Sequence, residues 1–302
     1  MLAKREVKED FNKRGLSNAQ SVDRAKLCFE RDRARSMLEG VQLEKSETGS
    51  LCFTINDISN ELKSAIRERL SEICHGAAKA SRNPVLYSFK STLTAFFDKF
   101  DTKSADTQKG MIGELLTHVL FLHHEDEFRA TSPFFNMEED SIKKGFDLVL
   151  HHKGTREIWF VEVKAGECGL ETSINKLGVL LSLAKNDLKT ALSSERNTLW
   201  QNAVNNASLV IQDSGLKSQI ETLLESYNEK AVAGKSVSKD YNAVLVAVCF
   251  SGSQAFATGA EFDGRHTTQK NMNEFRDLLS IALQKDTIQS VVDFLRSEVE
   301  DG

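Results

Sequence analysis

Residues 143–167 read KKGFDLVLHHKGTREIWFVEVKAGE, two short apolar runs split by KGTR, and no other stretch of the chain restricts its fold so tightly. Gly154 can take a positive φ, so the stretch predicts a β-hairpin. With Gly154 and Thr155 as a two-residue loop, Lys153 pairs with Arg156, and that register sets Asp147 directly opposite Glu162. Lys164 lies two residues beyond Glu162 and shares its face, because strand side chains alternate. One face thus collects Asp147, Glu162 and Lys164. Leu148, Leu150, Trp159, Val161 and Val163 point to the other.

Carboxylates facing each other across a strand pair, Cβ atoms about 5 Å apart, repel and cost stability unless a positive charge sits between them. Mg²⁺ suits such a pair, since it takes hard oxygen ligands and binds through one or two carboxylates plus substrate phosphate. A metal there would lower the pKa of a bound water, and Lys164 would orient that water or neutralise charge developing on a phosphate oxygen. This is the chemistry of phosphodiester cleavage. The plain alternative is a charged stripe on a solvated strand face, against which the strongly apolar flanks argue.

The flanking sequence supplies the rest of a layered fold. TQKGMIGELLTHVLFLHH carries a helical stripe at Met111, Ile112, Leu115, Leu116, Val119 and Leu120. FRATSPFF is an extended candidate in which Pro133 marks a strand end or edge. After the hairpin, ETSINKLGVLLSLAKNDLKTAL predicts a helix with a stripe of Leu177, Leu180, Leu181, Ala184 and Leu188. A further helical stretch precedes AVLVAVCF, residues 243–250, a buried strand. MNEFRDLLSIALQ and TIQSVVDFLRSEVE read as closing helices.

The first hundred residues read as mostly helical: a charged segment DRAKLCFERDRARSML, a short strand SLCFTI, a helix over ISNELKSAIRERLSEICHGA capped by Asn56 or Asp57, and a helix around LTAFFDKF. The expected fold is α/β, a mixed central sheet flanked by helices. A mainly helical region 1–100 precedes a domain over 101–302.

Asp147, then Glu162-Val163-Lys164 on the next strand, with Glu114 in the preceding helix, resembles the PD-(D/E)xK nuclease superfamily. That superfamily is built on an αβββαβ core, which the element order from residue 106 to 250 resembles. Phe146 stands where the motif's proline would be. The longer context, KGMIGELLTHVLF, SPFFNMEEDSIKKGFDLVL and IWFVEVKAGE, is similar to the HamA family, nuclease-like subunits of the Hachiman antiphage defence system with AbpA among their relatives. The resemblance implies a Mg²⁺-dependent deoxyribonuclease, with Mn²⁺ able to substitute. Asp147, Glu162 and Glu114 would hold the metal, and Lys164 would join them in catalysis. It further implies DNA as substrate and a HamB-like superfamily 2 helicase as partner, with residues 1–100 a reasonable docking region. The bland reading of Glu114 is a helix-flank glutamate paired with His118; Gly113 beside it would allow close helix packing. The competing function is a non-catalytic adaptor of nuclease fold that binds DNA or regulates a helicase.

Composition bounds these readings. The chain has 302 residues, 40% of them hydrophobic, enough for a sizeable core. No run approaches the roughly 18 apolar residues of a membrane span, and the charged N-terminus lacks a signal-peptide core, so a cytoplasmic protein is expected. Five scattered cysteines without C-x-x-C spacing predict reduced thiols. A net charge of −5 gives no basic surface overall, so DNA would be held by a local patch or with a partner's help.

Weaker candidates surround the motif. Lys176, Lys185, Lys189 and Asn175 lie on the helix after it, and Lys185 and Lys189, one turn apart, would grip phosphate. Of the pairs His123-His124 and His151-His152, His151 shares the Asp147 face. Arg24, Lys26, Arg31, Arg33 and Arg35, interrupted by Asp23, Glu30 and Asp32, read as a solvated helix face. TSPFFN, residues 131–136, reads as a substrate-side loop or a strand end.

Overall fold

The structure, a computed structural model, describes residues 38–76, 80–81, 83–133 and 145–300. Its centre is one seven-stranded mixed sheet: β1 (Val41–Lys45), β2 (Ser50–Ile55), β3 (Phe128–Ala130), β4 (Leu148–His152), β5 (Ile158–Glu167), β6 (Asn242–Phe250) and β7 (Asp277–Lys285). The spatial order is β1-β2-β7-β6-β5-β4-β3. β2, β7, β6 and β5 run parallel, and antiparallel pairs close both edges. All nine residues of β6 are buried. That explains why AVLVAVCF shows no polar alternation: an inner parallel strand is covered on both faces.

The helices, in chain order, are α1 (Asn60–His75), α2 (Phe89–Phe100), α3 (Ala105–His124), α4 (Ser173–Leu192), α5 (Asn197–Val210), α6 (Ser214–Val232), α7 (Gly259–Asn271) and α8 (Gln289–Glu300). α1, α2, α3 and α8 pack on the face made by Leu148, Val161, Val163, Val246 and Ile281. α4 to α7 cover the opposite face, with Val149, Phe160, Leu245 and Ala282. The second core centres on aromatic rings, Phe160 standing edge-on to Trp200 at 5.5 Å between centroids. Helices on both faces of a mixed sheet are what the sequence predicts.

Three expectations change. The predicted helix MNEFRDLLSIALQ is instead a turn, with Asn273 at φ 52°, followed by strand β7. A short continuous apolar run has no period that separates a strand from a buried helix, and here the strand slot between β2 and β6 decides. Helix α1 is capped by Ser59, whose Oγ accepts from the Leu62 N–H at 3.1 Å, and not by Asn56 or Asp57. VQLEK, unremarked in the sequence, forms β1 beside the expected strand SLCFTI. The sheet therefore takes strands from both sides of residue 100. The segment DRAKLCFERDRARSML lies, but for its last residue, outside the described residues.

The 143–167 hairpin has the predicted register by a different turn. Leu148 faces Val161 and Leu150 faces Trp159. The loop, however, spans four residues: His152 N–H donates to Glu157 O, Arg156 N–H donates to His152 O, and Lys153 N–H turns away to Glu127 O. Arg156, not Gly154, takes the positive φ of 59°. Two-residue and four-residue loops centred on one peptide bond give the same pairing, so the register did not depend on the loop. His152 explains the larger loop, since its Nδ1 accepts from the N–H groups of both Gly154 and Thr155.

Candidate active site

Asp147 stands one residue before β4, and extending the register by one step sets it against Glu162. Val163 N–H donates to Asp147 Oδ2 at 2.8 Å, tying the carboxylate to the neighbouring strand. Glu162 and Lys164 lie on the same side of β5, and Lys164 Nζ contacts Glu162 Oε1 at 2.8 Å. The Glu162 side chain is 13% exposed and that of Lys164 29%. The predicted juxtaposition of Asp147, Glu162 and Lys164 is therefore present, at the margin of the core that α4 covers.

Burial by itself would lower the Lys164 pKa. The charge of Glu162, then the hydrogen bonds that Lys164 donates to Asp187 and Glu162, then the charge of Asp147, outweigh it and hold the ammonium well above its ordinary value. Lys164 is a fixed cation at any physiological pH.

Asp187 is the residue that sequence reasoning missed. It lies on α4, and its Oδ2 sits 2.7 Å from Lys164 Nζ. A weak signal was present: Asp187 falls seven residues after Leu180 and three after Ala184, so helical spacing sets it beside the sheet-facing stripe of α4, which Leu188 continues, with its side chain 56% exposed. Of the candidates on that helix, Lys185, Lys189 and Asn175 are engaged away from the pair. Lys189 pairs with Glu274 at 2.8 Å, Lys185 Nζ lies 3.3 Å from Met272 Sδ, and Asn175 accepts from Arg265. Lys176 pairs with Glu171 and lies over Gly166, where its Cε is 2.9 Å from the place a Cβ would occupy.

Glu114 is half-buried on α3, on the opposite side of the sheet. The residue before it, Gly113, explains how close that helix comes. A Cβ on Gly113 would stand 2.9 Å from Ala165 Cβ and 3.3 Å from Val248 Cβ, so only glycine allows α3 to touch β5 one residue beyond Lys164. Among the described residues, no three His, Cys, Asp or Glu side chains are gathered into one metal-holding group. What the sheet itself supplies is a facing carboxylate pair beside a lysine. Oxygen donors of this kind, two in number, suit a hard cation that keeps waters and takes further ligands from a substrate phosphate.

A model of the HamA family matches residues 35–296, most of the chain. This chain belongs to the HamA family. Membership makes it a component of Hachiman antiphage defence. A comparison with curated proteins finds no match.

The match runs from just before β1 into α8, and so includes the β1-β2 hairpin that begins the described sheet. The remaining candidates in this HamA-family chain sort as follows. His151 is buried on the Asp147 face at the far end of β4, and His152 caps the hairpin loop from the other face. His124 packs its ring on Phe53 at 5.5 Å and on His123 at 5.0 Å. The cluster Arg24 to Arg35 lies outside the described residues, as do residues 134–136 of TSPFFN. Within the described part of that stretch, Thr131 and Ser132 are buried and bond to Val149 of β4, a strand-end role. The four described cysteines are buried free thiols. Among the described residues, no helix is long and apolar enough to cross a membrane.

Proposed function

We propose that this HamA-family protein is a metal-dependent DNA nuclease of PD-(D/E)xK type, working as the effector subunit of a helicase–nuclease defence complex. The observation that carries the reading is the facing of Asp147 and Glu162 with Lys164 held at 2.8 Å from Glu162. The order α3, β3, β4, β5, α4, then β6 supports it, being that of the αβββαβ nuclease core with helices α5 and α6 inserted.

Asp147 and Glu162 would hold Mg²⁺ or Mn²⁺; the family resemblance adds Glu114, which the fold carries on α3 across the sheet from the pair. When bound, the metal supplies an acidified water and a positive charge for a phosphate oxygen. The chain's own residues do the rest. The Val163 N–H fixes the Asp147 carboxylate. Asp187 and Glu162 hold the Lys164 ammonium at the strand end, where it neutralises charge on the phosphate as the P–O bond to the leaving oxygen lengthens. Val163 and the apolar floor of β6 keep bulk water from beneath the pair.

One observation favours a second reading, a nuclease-fold adaptor that regulates a helicase without cutting: Lys164 is neutralised by two carboxylates, and among the described residues no group of three possible metal ligands is gathered at the pair. Calorimetric titration with Mn²⁺ separates the two. Binding that disappears in both Asp147→Ala and Glu162→Ala supports the nuclease. Equal heats in wild type and both variants would leave the adaptor.

A further inference from the structure

The open edge of the sheet carries a groove that the catalytic reading does not use. β3 is the edge strand, and beside it two adjoining hollows of about 570 and 470 Å³ run from the end of α1 to the start of α6. Their charged lining is Arg69, Arg129, Lys153 and Arg156 against Glu72 and Asp213. Four cations against two anions make a positive patch on a chain of net charge −5. Arg69, Arg129 and Arg156 have no ion pair or side-chain hydrogen bond among the described residues, so their charge is not spent within the fold. Lys153 is held by the Asp126 carbonyl.

Three further features fit an anion. α6 starts in the groove, with Gly215 on its first turn, and Asp213 capping the Leu216 N–H at 2.6 Å. Its 19 residues direct a full helix dipole there. His151, 5% exposed, lines both hollows, and its Nδ1 has no hydrogen-bond partner. The loop residue Arg156 holds φ 59°, a conformation unfavourable for arginine, and that turn carries the side chain to the groove.

Position supplies the identity of the ligand. Arg129 faces His151 across the β3-β4 pair, and His151 lies four residues along β4 from Asp147 on the same face. At about 3.3 Å per residue the separation is roughly 13 Å. With about 3.4 Å of rise per nucleotide, that is roughly four nucleotides along one strand. We propose that this groove grips the phosphate backbone of the nucleic-acid strand whose scissile phosphate lies at Asp147 and Glu162. The placement of the scissile phosphate rests on the nuclease reading; the grip itself does not.

The test is fluorescence anisotropy of a short fluorescein-labelled DNA, single-stranded and duplex, with the full chain in EDTA so that no cleavage intervenes. The variant pair is Arg129→Ala with Arg156→Gly, glycine being at ease at positive φ. The control pair, Lys230→Ala with Lys235→Ala, removes equal charge at the far end of α6. The groove variant should bind at least fivefold more weakly, and its salt dependence should shallow by about 1.4 for single strands or 1.8 for duplex. The control should match wild type. Equal weakening in both pairs, or none in either, would overturn the proposal, as would binding of ATP without binding of DNA. Should the double variant melt early, Arg129→Gln and Arg156→Gly tested singly each carry the same expectation in smaller measure. Binding lost from the groove variant, in a protein that never cuts with Mg²⁺, would keep the groove and remove the nuclease.

Discussion

At the scale of single residues, the proposed chemistry turns on Lys164. It contacts Glu162 and Asp187 at 2.8 and 2.7 Å. Lys164→Ala should lower cleavage by about 100-fold or more if it meets charge developing in the transition state. Asp187→Asn, which keeps an acceptor for Lys164 but removes one of its two counter-charges, should cost about tenfold. A gel assay with both variants ranks them, and an Asp187 effect larger than the Lys164 effect would reverse their roles. Because the folded-state pKa of Lys164 is raised, its contribution to stability is complete below its ordinary value near 10.5 and is lost only above it. His118 behaves in the opposite sense. It is buried in α3, and burial lowers its pKa to about 3. The neutral ring is favoured in the fold, so stability is complete above about pH 6.5. It falls by up to about 1.4 kcal/mol per pH unit as pH drops toward 3. His118→Leu should flatten that part of a urea-melt pH profile; an unchanged slope would assign the acid sensitivity to other groups.

Elements place those residues, and the tightest placement is that of α3. Gly113→Ala puts a methyl 2.9 Å from Ala165 Cβ, so the helix must move off β5. The expected cost is about 1–3 kcal/mol, read as a lower melting temperature, with activity reduced further if Glu114 serves the site. An unchanged melting temperature would show that the contact gives way without cost. The hairpin shows what was legible in the sequence. A loop centred on the Gly154–Thr155 peptide bond gave the register, which the four-residue loop preserves because it has the same centre, and strand alternation gave the shared face of Asp147, Glu162 and Lys164. The loop was not legible, since the His152 imidazole bonds that shape it belong to the folded hairpin. β7 was misread for a related reason: a strand covered on both faces has no period, and its pairing with β2 is a contact over more than two hundred residues of chain. Helix α7 carried its own notice, since Thr258 and Glu261 form a capping box of the T-x-x-E kind.

Across the whole molecule, the sheet joins a hairpin from the first hundred residues to the strands that carry the candidate site, through β2 pairing with β7. The HamA match spans both. A chain of net charge −5 has a patch of positive charge in the β3 groove, so its unaided hold on DNA should be modest and salt-sensitive. A helicase that loads on DNA would then raise cleavage by delivering the strand. The most direct measurement is therefore cleavage of plasmid DNA in Mg²⁺ by the purified chain, alone and with its system's helicase and ATP, with Lys164→Ala in parallel. Cleavage by wild type, increased by the helicase and lost in Lys164→Ala, is the predicted result. Intact plasmid under both conditions, with the complex formed, would contradict a nuclease and leave an adaptor.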